Sequence, residues 1–393
     1  MLKKILSLSI LSFVLVVLSG CSFEPPKLGS AKLGGDEGSS DQSSFGVKTE
    51  AGSIWRSDDG GKTFVPKITV DEKRKITKAD VLNISFLLRD DARAQTEEIR
   101  RVPNIYIGTV EDMIFKTSDG AEIWEPINFP PDKVYSFVAS RRSIDRMYAT
   151  GVVAKRGKIF RTIDGGSTWQ DMYSEPGTET TIVSLAEHPM DVNLLYAGTS
   201  TGTVVLSRDG GDTWKNVGTA VNGPITGIVF DAKDKNIVYL LAVNAKVYTS
   251  EDAGDTWLDL DYVRAEERKK NPKAPVGVAT PSVGIVSLVA DPYISGTLYI
   301  GTKAGLFRSR DFGKTLEKLN IIESAEKFPI RAFAVNPKNS QEIVFVAGRT
   351  FYKSVNAGDT WSVTMLGIDR DVSVIEYDPL YPEVLYLGLR KMK

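Results

Sequence analysis

The chain has 393 residues, a formal net charge of −1 and 25% charged residues. That is an ordinary soluble composition, long enough for one large core or two modest ones, and its balanced charge argues against nucleic acid as a partner. One cysteine excludes an internal disulfide, and no phosphate loop, zinc-ligand spacing or nucleophile elbow occurs.

Lys3 and Lys4 open the chain, followed by an apolar run from Ile5 to Leu18 that is too short for a comfortable membrane span. This reads as a secretory signal over residues 1–20. It ends in Leu18-Ser19-Gly20-Cys21, which resembles the bacterial lipobox, whose small residues let a peptidase reach the bond before a diacylated cysteine. Cys21 is therefore expected to be the mature N-terminus and to anchor the protein through two acyl chains, since one chain alone binds only marginally. The expected location is the outer face of the cytoplasmic membrane, or the outer membrane. Residues 21–45 are rich in Gly, Ser and Asp and read as a tether, leaving residues 46–393 as the folded domain.

In that domain an eight-residue element of the form S/T-x-D-x-G-x-T-W recurs seven times, ending at Phe64, Trp124, Trp169, Trp214, Trp257, Leu316 and Trp361. Its acidic position is Asp59, Asp119, Asp164, Asp209, Asp252 and Asp311, with Asn356 in the seventh copy. A carboxylate that accepts backbone N–H groups of its own turn, followed by a glycine free to take positive φ, builds a tight hairpin. The terminal hydroxyl residues tie the strand ends together, and the aromatic plugs the space between neighbouring repeats. One carboxylate per separate repeat does not make a calcium site, which needs six to eight converging oxygens. These aspartates are therefore read as structural, with no metal and no cofactor expected.

The eighth positions are spaced by 60, 45, 45, 43, 59 and 45 residues, the length of a four-stranded propeller blade. One full repeat reads as strands at Thr181 to Ala186, Leu194 to Gly198, Val204 to Ser207 and Thr213 to Val217, with the box between the third and fourth. Residues 371–393 hold only the first two strands of a repeat and residues 46–68 only the last two. The expected fold is all-β, a single seven-bladed propeller whose last blade is shared by the two ends, which leaves no unpaired edge. The two long spacings place insertions at Asp71 to Pro103 and Asp259 to Pro281, both charge-dense and read as solvated loops or short surface helices.

The boxes resemble the Asp box, or BNR repeat, of sialidases, sortilin-type receptors, xyloglucanases and the photosystem II stability/assembly factor family. The resemblance to sialidases implies a catalytic reading that these residues do not support. A first arginine ahead of the first box is lacking, since Arg56 abuts that box, and Phe328-Pro329-Ile330-Arg331 carries the sialidase F/Y-R-I-P letters in another order. Xyloglucanases of this class set two propellers against each other, and one is present here. His188, the sole histidine, stands at a turn position in Glu187-His188-Pro189.

The turns between second and third strands share a face with the start of the innermost strand, opposite the boxes. They carry Lys155, Arg156, Lys246, Lys303 and Arg349, with Arg331 at the start of an inner strand, and form a basic rim suited to an acidic partner. Resemblance to the assembly-factor family implies a scaffold that holds a protein partner. The expectation is a monomeric, membrane-anchored module that binds a protein or glycan on this loop face and is not an enzyme. A glycoside hydrolase or sialidase-like glycan binder is the alternative.

Overall fold

Short apolar runs bounded by Gly, Asp and Pro become strands because each repeat can bury its faces only against its neighbours. In a computed structural model of the chain, the described residues are 52–87, 103–110, 113–141, 143, 145–243, 246–270, 272, 284–321 and 329–391. They fall within one compact unit, Val47–Lys393. The signal, the lipobox residues with Cys21, and the tether lie outside the described residues.

Seven antiparallel sheets of four strands each form the blades of a propeller, numbered here by the box each one holds. The first blade pairs, in order, Val65–Pro66, Ile54–Ser57, Leu385–Arg390 and Asp371–Tyr377. Within it an antiparallel ladder runs from Ile54 opposite Gly388 to Ser57 opposite Leu385. The inner strands of the second to seventh blades are Val81–Leu87, Ser136–Ala139, Ile182–Glu187, Ile225–Phe230, Ile285–Ala290 and Ala332–Asn336. Each inner strand touches the inner strands of both neighbouring blades, all the way round the ring.

The strand limits inferred for the fourth blade shift by one or two residues, to Ile182–Glu187, Leu195–Thr199, Thr203–Ser207 and Lys215–Thr219. The insertion read over Asp71 to Pro103 is corrected more substantially, because Val81–Leu87 inside it is the inner strand of the second blade. The second insertion holds an 11-residue helix, Leu260–Lys270, buried at Leu260 and Arg264.

The core lies between sheets, not within one, so each hydrophobic cluster draws on two adjacent blades. One example joins Ala332, Val344 and Phe351 of the seventh blade to Trp55, Ile375, Leu385 and Leu387 of the first. Each second strand except the seventh blade's carries a buried tyrosine one residue past the partner of the box hydroxyl, namely Tyr106, Tyr148, Tyr196, Tyr239, Tyr299 and Tyr386. Two residues further on, glycine recurs for a steric reason. A Cβ on Gly388 would lie 2.6 Å from a methyl of Val374 and 2.6 Å from one of Val81 in the next blade.

Candidate functional site

The box residues occupy equivalent turns on one face, and their polar atoms are used within the turn. In the first box the Ser57 hydroxyl donates to Asp59 at 2.8 Å, while the Thr63 N–H and hydroxyl donate to the same carboxylate at 2.9 and 2.7 Å. The Gly61 N–H donates back to the Ser57 hydroxyl at 2.8 Å. Asp164, Asp209, Asp252 and Asp311 repeat the pattern with Thr168, Thr213, Thr256 and Thr315. Asn356 reproduces it with an amide, accepting the Thr360 N–H at 2.9 Å and donating to the Thr360 hydroxyl at 2.9 Å. Asp119, which lacks the threonine, accepts the N–H groups of Glu122 and Ile123 at 3.0 and 3.1 Å.

Hydrogen bonds from the Thr168 hydroxyl and N–H hold the Asp164 carboxyl at about 2. Burial alone would raise Asp209, but the bonds from Thr213 and Ser207 outweigh it and hold that carboxyl at about 2 as well. These groups are spoken for, and each sits in its own blade. Among the described residues no cluster of His, Cys, Asp or Glu gathers to hold a metal ion.

The eighth-position aromatics lie against the preceding blade. The indole N–H groups of Trp124, Trp169 and Trp361 donate to the carbonyls of Lys67, Asn128 and Asn320 at 2.9, 2.9 and 2.8 Å. Trp214 packs on the core shared by the third and fourth blades, and Trp257 on that of the fourth and fifth. Phe64, in place of the tryptophan, meets Phe351 edge-on with ring centroids 5.1 Å apart.

A second set of inter-blade contacts escaped the sequence reading. Arg56, Arg161, Arg308 and Lys353, each one residue ahead of a box, donate to the box carbonyls of Gly120, Gly210, Ala357 and Gly60 in the next blade. Arg208 reaches Ala253 in the same way at 3.3 Å, and Arg264 of the helix reaches Gly313 at 2.6 Å. The helical insertion thus supplies the cation that its blade lacks ahead of the box. His188 is structural too, fully buried, its Nδ1 accepting the N–H groups of Met190 and Asp191 at 3.1 and 3.2 Å.

On the opposite face the rim cations differ from one another. Lys155, Arg156 and Arg349 are exposed and Lys303 is half-buried. Lys155 sits in a hairpin turn with φ 65°. Lys246 is ion-paired with Asp259, so its charge is largely neutralised within its own blade. Arg331 is half-buried, and burial together with the nearby Arg390 lowers its pKa while Asp371 opposes. Its Nε is buried without a partner. Turn residues 111–112 of the second blade lie outside the described residues.

Within the ring the inner strands enclose a cavity of about 530 Å³. Its wall comes from the box-face ends of five inner strands, including Phe86, Val138, Val289 and Phe333, with Pro292, Pro337 and Pro379 just beyond them. Among the described residues, Glu376 and Arg141 are the charged side chains on this wall. Burial pushes the Glu376 carboxyl up to about 7, against the pull of Arg141, which acts on it through space. The native state thus keeps a proton that the unfolded chain releases near the ordinary 4.5, so this group lowers stability as pH rises from there through about 7. Glu376→Gln removes that loss. Its Tm should exceed the parent's at pH above 7 and the gap should close below about 4.5. A gap of constant size in a melting series across this range would show that the carboxyl titrates normally.

Neither a protein-family model nor a curated protein sequence matches the chain. Solved structures do match it. YCF48 bound to a D1 peptide superimposes with a TM-score of 0.59 at 14% identity, covering 83% of this chain and 99% of that one. YCF48 from Cyanidioschyzon merolae gives 0.54 at 16% identity, over 79% of this chain and 96% of the other. The GH74 xyloglucanase from Xanthomonas campestris gives 0.56 at 17%, over 79% of this chain but only 51% of that enzyme. At such identities the likeness shows the seven-bladed fold alone, and it is a fold shared by binding proteins and hydrolases.

Proposed function

We propose that this protein is an exported scaffold or assembly factor, anchored to a membrane through acylated Cys21, whose loop face docks an acidic segment of a partner protein. The observation that carries the reading is the rim. Lys155, Arg156 and Arg349 stand exposed on turns of a rigid ring, Lys303 stands half-buried on the equivalent turn of the sixth blade, and Arg331 brings a buried, unpartnered Nε to the inner edge of the same face. Cations of one sign on the same face steer an acidic partner toward it. YCF48, solved with a D1 peptide bound, supports a peptide-docking use of a ring of this size and shape.

Glycoside hydrolysis or glycan binding is the second reading, favoured by the likeness to the xyloglucanase. Hydrolysis by the common scheme takes two facing carboxyl groups, whereas the channel cavity presents one among its described residues, Glu376.

The test is crosslinking and capture from detergent-solubilised membranes. It compares the intact chain with a variant carrying Glu at Lys155, Arg156, Lys303 and Arg349, and with Cys21→Ser. Capture by the intact chain should weaken with rising salt, and the charge-reversed ring should lose on the order of tenfold or more of it. The Cys21→Ser protein should leave the membrane fraction while keeping its docking strength in detergent. Equal capture by the intact and reversed rings would remove the rim from the argument and direct the search to glycans.

A further inference from the structure

The channel cavity is lined toward the box-face ends of the inner strands by residues that are not part of the rim, and docking on the rim leaves it unused. Its volume of about 530 Å³ falls within the usual range of small-ligand sites. Most of its wall is apolar, from Phe86, Val138, Val289 and Phe333, and among the described residues its charged side chains are one carboxylate and one guanidinium. Arg141 and Glu376 interact through space and form no ion pair with each other.

The scaffold fixes the backbone from which each group reaches the cavity, and Arg141 itself is exposed. Glu376 lies in the inner strand of the first blade, opposite Tyr386 in the ladder. The main chain of Arg141 is fixed by its N–H, which donates to the buried Glu187 carboxylate at 2.8 Å.

We propose that this cavity binds a small zwitterion, a free α-amino acid with an apolar side chain, its ammonium on Glu376, its carboxylate on Arg141 and its side chain against Phe86 and Phe333. The charge pattern selects this class over simpler ones. An apolar amine gains Glu376 but faces the Arg141 cation, and an apolar carboxylate meets the reverse. A neutral hydrocarbon desolvates both groups and compensates neither. A molecule carrying both charges on one carbon, with an apolar group attached, satisfies the two ionic groups and fills the wall at once. A guanidinium also suits a carboxylate particularly well, through two parallel N–H donors.

The experiment is titration calorimetry, with thermal shift as a second readout, on the full folded chain above pH 7, where the Glu376 carboxyl is ionised. The probes are L-phenylalanine and L-leucine, then phenethylamine and 3-phenylpropanoate, which keep the ring and lose one charge each. The amino acids should bind, and each one-charge analogue should bind at least about tenfold more weakly than L-phenylalanine. Glu376→Gln and Arg141→Gln should each weaken L-phenylalanine by a similar factor. Glu376→Gln should leave 3-phenylpropanoate unharmed, an outcome that a general loss of structure would not produce.

The ligand series on the parent protein decides the matter even where a variant folds poorly. The rim variant should bind L-phenylalanine unchanged, which separates this site from the docking face. Absence of heat and of thermal shift with both amino acids up to about 10 mM would overturn the proposal. So would either one-charge analogue binding as tightly as L-phenylalanine, because the cavity would then be a plain apolar pocket.

Discussion

Deleting Asp371 to Lys393 should leave a chain that does not close and that aggregates. The deletion removes both strands that complete the first blade, so the ladder from Ile54–Gly388 to Ser57–Leu385 is lost and Ile54–Ser57 becomes an open edge. It also removes the inner strand Asp371–Tyr377, which bridges the inner strands of the second and seventh blades. Val372, Ile375, Leu385, Leu387 and Leu389 leave the core with it, and Trp55, Val344 and Phe351 lose their cover. At roughly 2 kcal/mol for each buried aliphatic side chain, those five represent about 10 kcal/mol. The net stability of a folded domain is itself only about 5–15 kcal/mol, so no margin remains. Arg370, which donates to the Ser53 hydroxyl at 2.9 Å and to the carbonyls of Ala79 and Lys78 at 2.9 and 3.0 Å, would end as a chain terminus with no strand behind it.

Size-exclusion chromatography with light scattering and a circular-dichroism melt would check this. The truncated chain should elute as large aggregates without a cooperative transition, whereas removal of Lys391, Met392 and Lys393 alone should leave both profiles intact. A monomeric truncated chain with a cooperative melt would mean that the ring does not depend on pairing between its two ends.

The repeat was the most legible part of this protein, because the box encodes local chemistry. A hydroxyl, a carboxylate and a glycine at fixed offsets make the same turn wherever they occur, so the spacing of boxes carried over to the spacing of blades. What failed to read correctly depends on assembly. Val81–Leu87 was absorbed into an insertion because it lies between two charge-dense stretches, and only its place against the neighbouring inner strands makes it one of them. Arg56, Arg161, Arg308 and Lys353 stand at one offset ahead of their boxes, a signal present in the sequence. Their role, a donor to the next blade's carbonyl, appears only once blades are adjacent.

The channel pair was hidden for the same reason. In Val374-Ile375-Glu376-Tyr377 a glutamate in a strand reads as an ordinary solvent-facing residue, and ring closure is what turns it inward toward Arg141. The rim was read as a uniform set of cations, but Lys246 has Asp259 beside it on the next strand of its own blade, a cross-strand neighbour that spacing alone does not reveal.

Substitution of a second-strand glycine should break one seam of the ring more severely than its size indicates. Gly301→Val places a Cβ on the Ile330 carbonyl oxygen of the next blade and on the Ser287 hydroxyl, both inside van der Waals contact. That hydroxyl donates to the same Ile330 carbonyl at 2.7 Å, a bond that ties the inner strand of the sixth blade to the segment entering that of the seventh. The obstacle includes backbone, which no rotamer change can move, so the seam must open and the hydrogen bond must lengthen or break. Overpacking a close-packed site costs about 1–3 kcal/mol, and a lost buried hydrogen bond adds roughly 1–3 kcal/mol more, which would lower Tm by several degrees or more.

Gly227→Ala supplies the contrast. Its Cβ would meet only Leu241 of its own blade, 3.3 Å from that residue's Cβ, a tight contact but not an overlap, and it meets no atom of the next blade. Its cost should stay below about 1 kcal/mol. Urea melts of the two variants beside the parent would compare them directly. A large loss for Gly301→Val and a small one for Gly227→Ala would place the limit on blade approach at the backbone seam. Equal losses would show that Gly301, in a second strand, is no more constrained by the next blade than Gly227, in an inner strand.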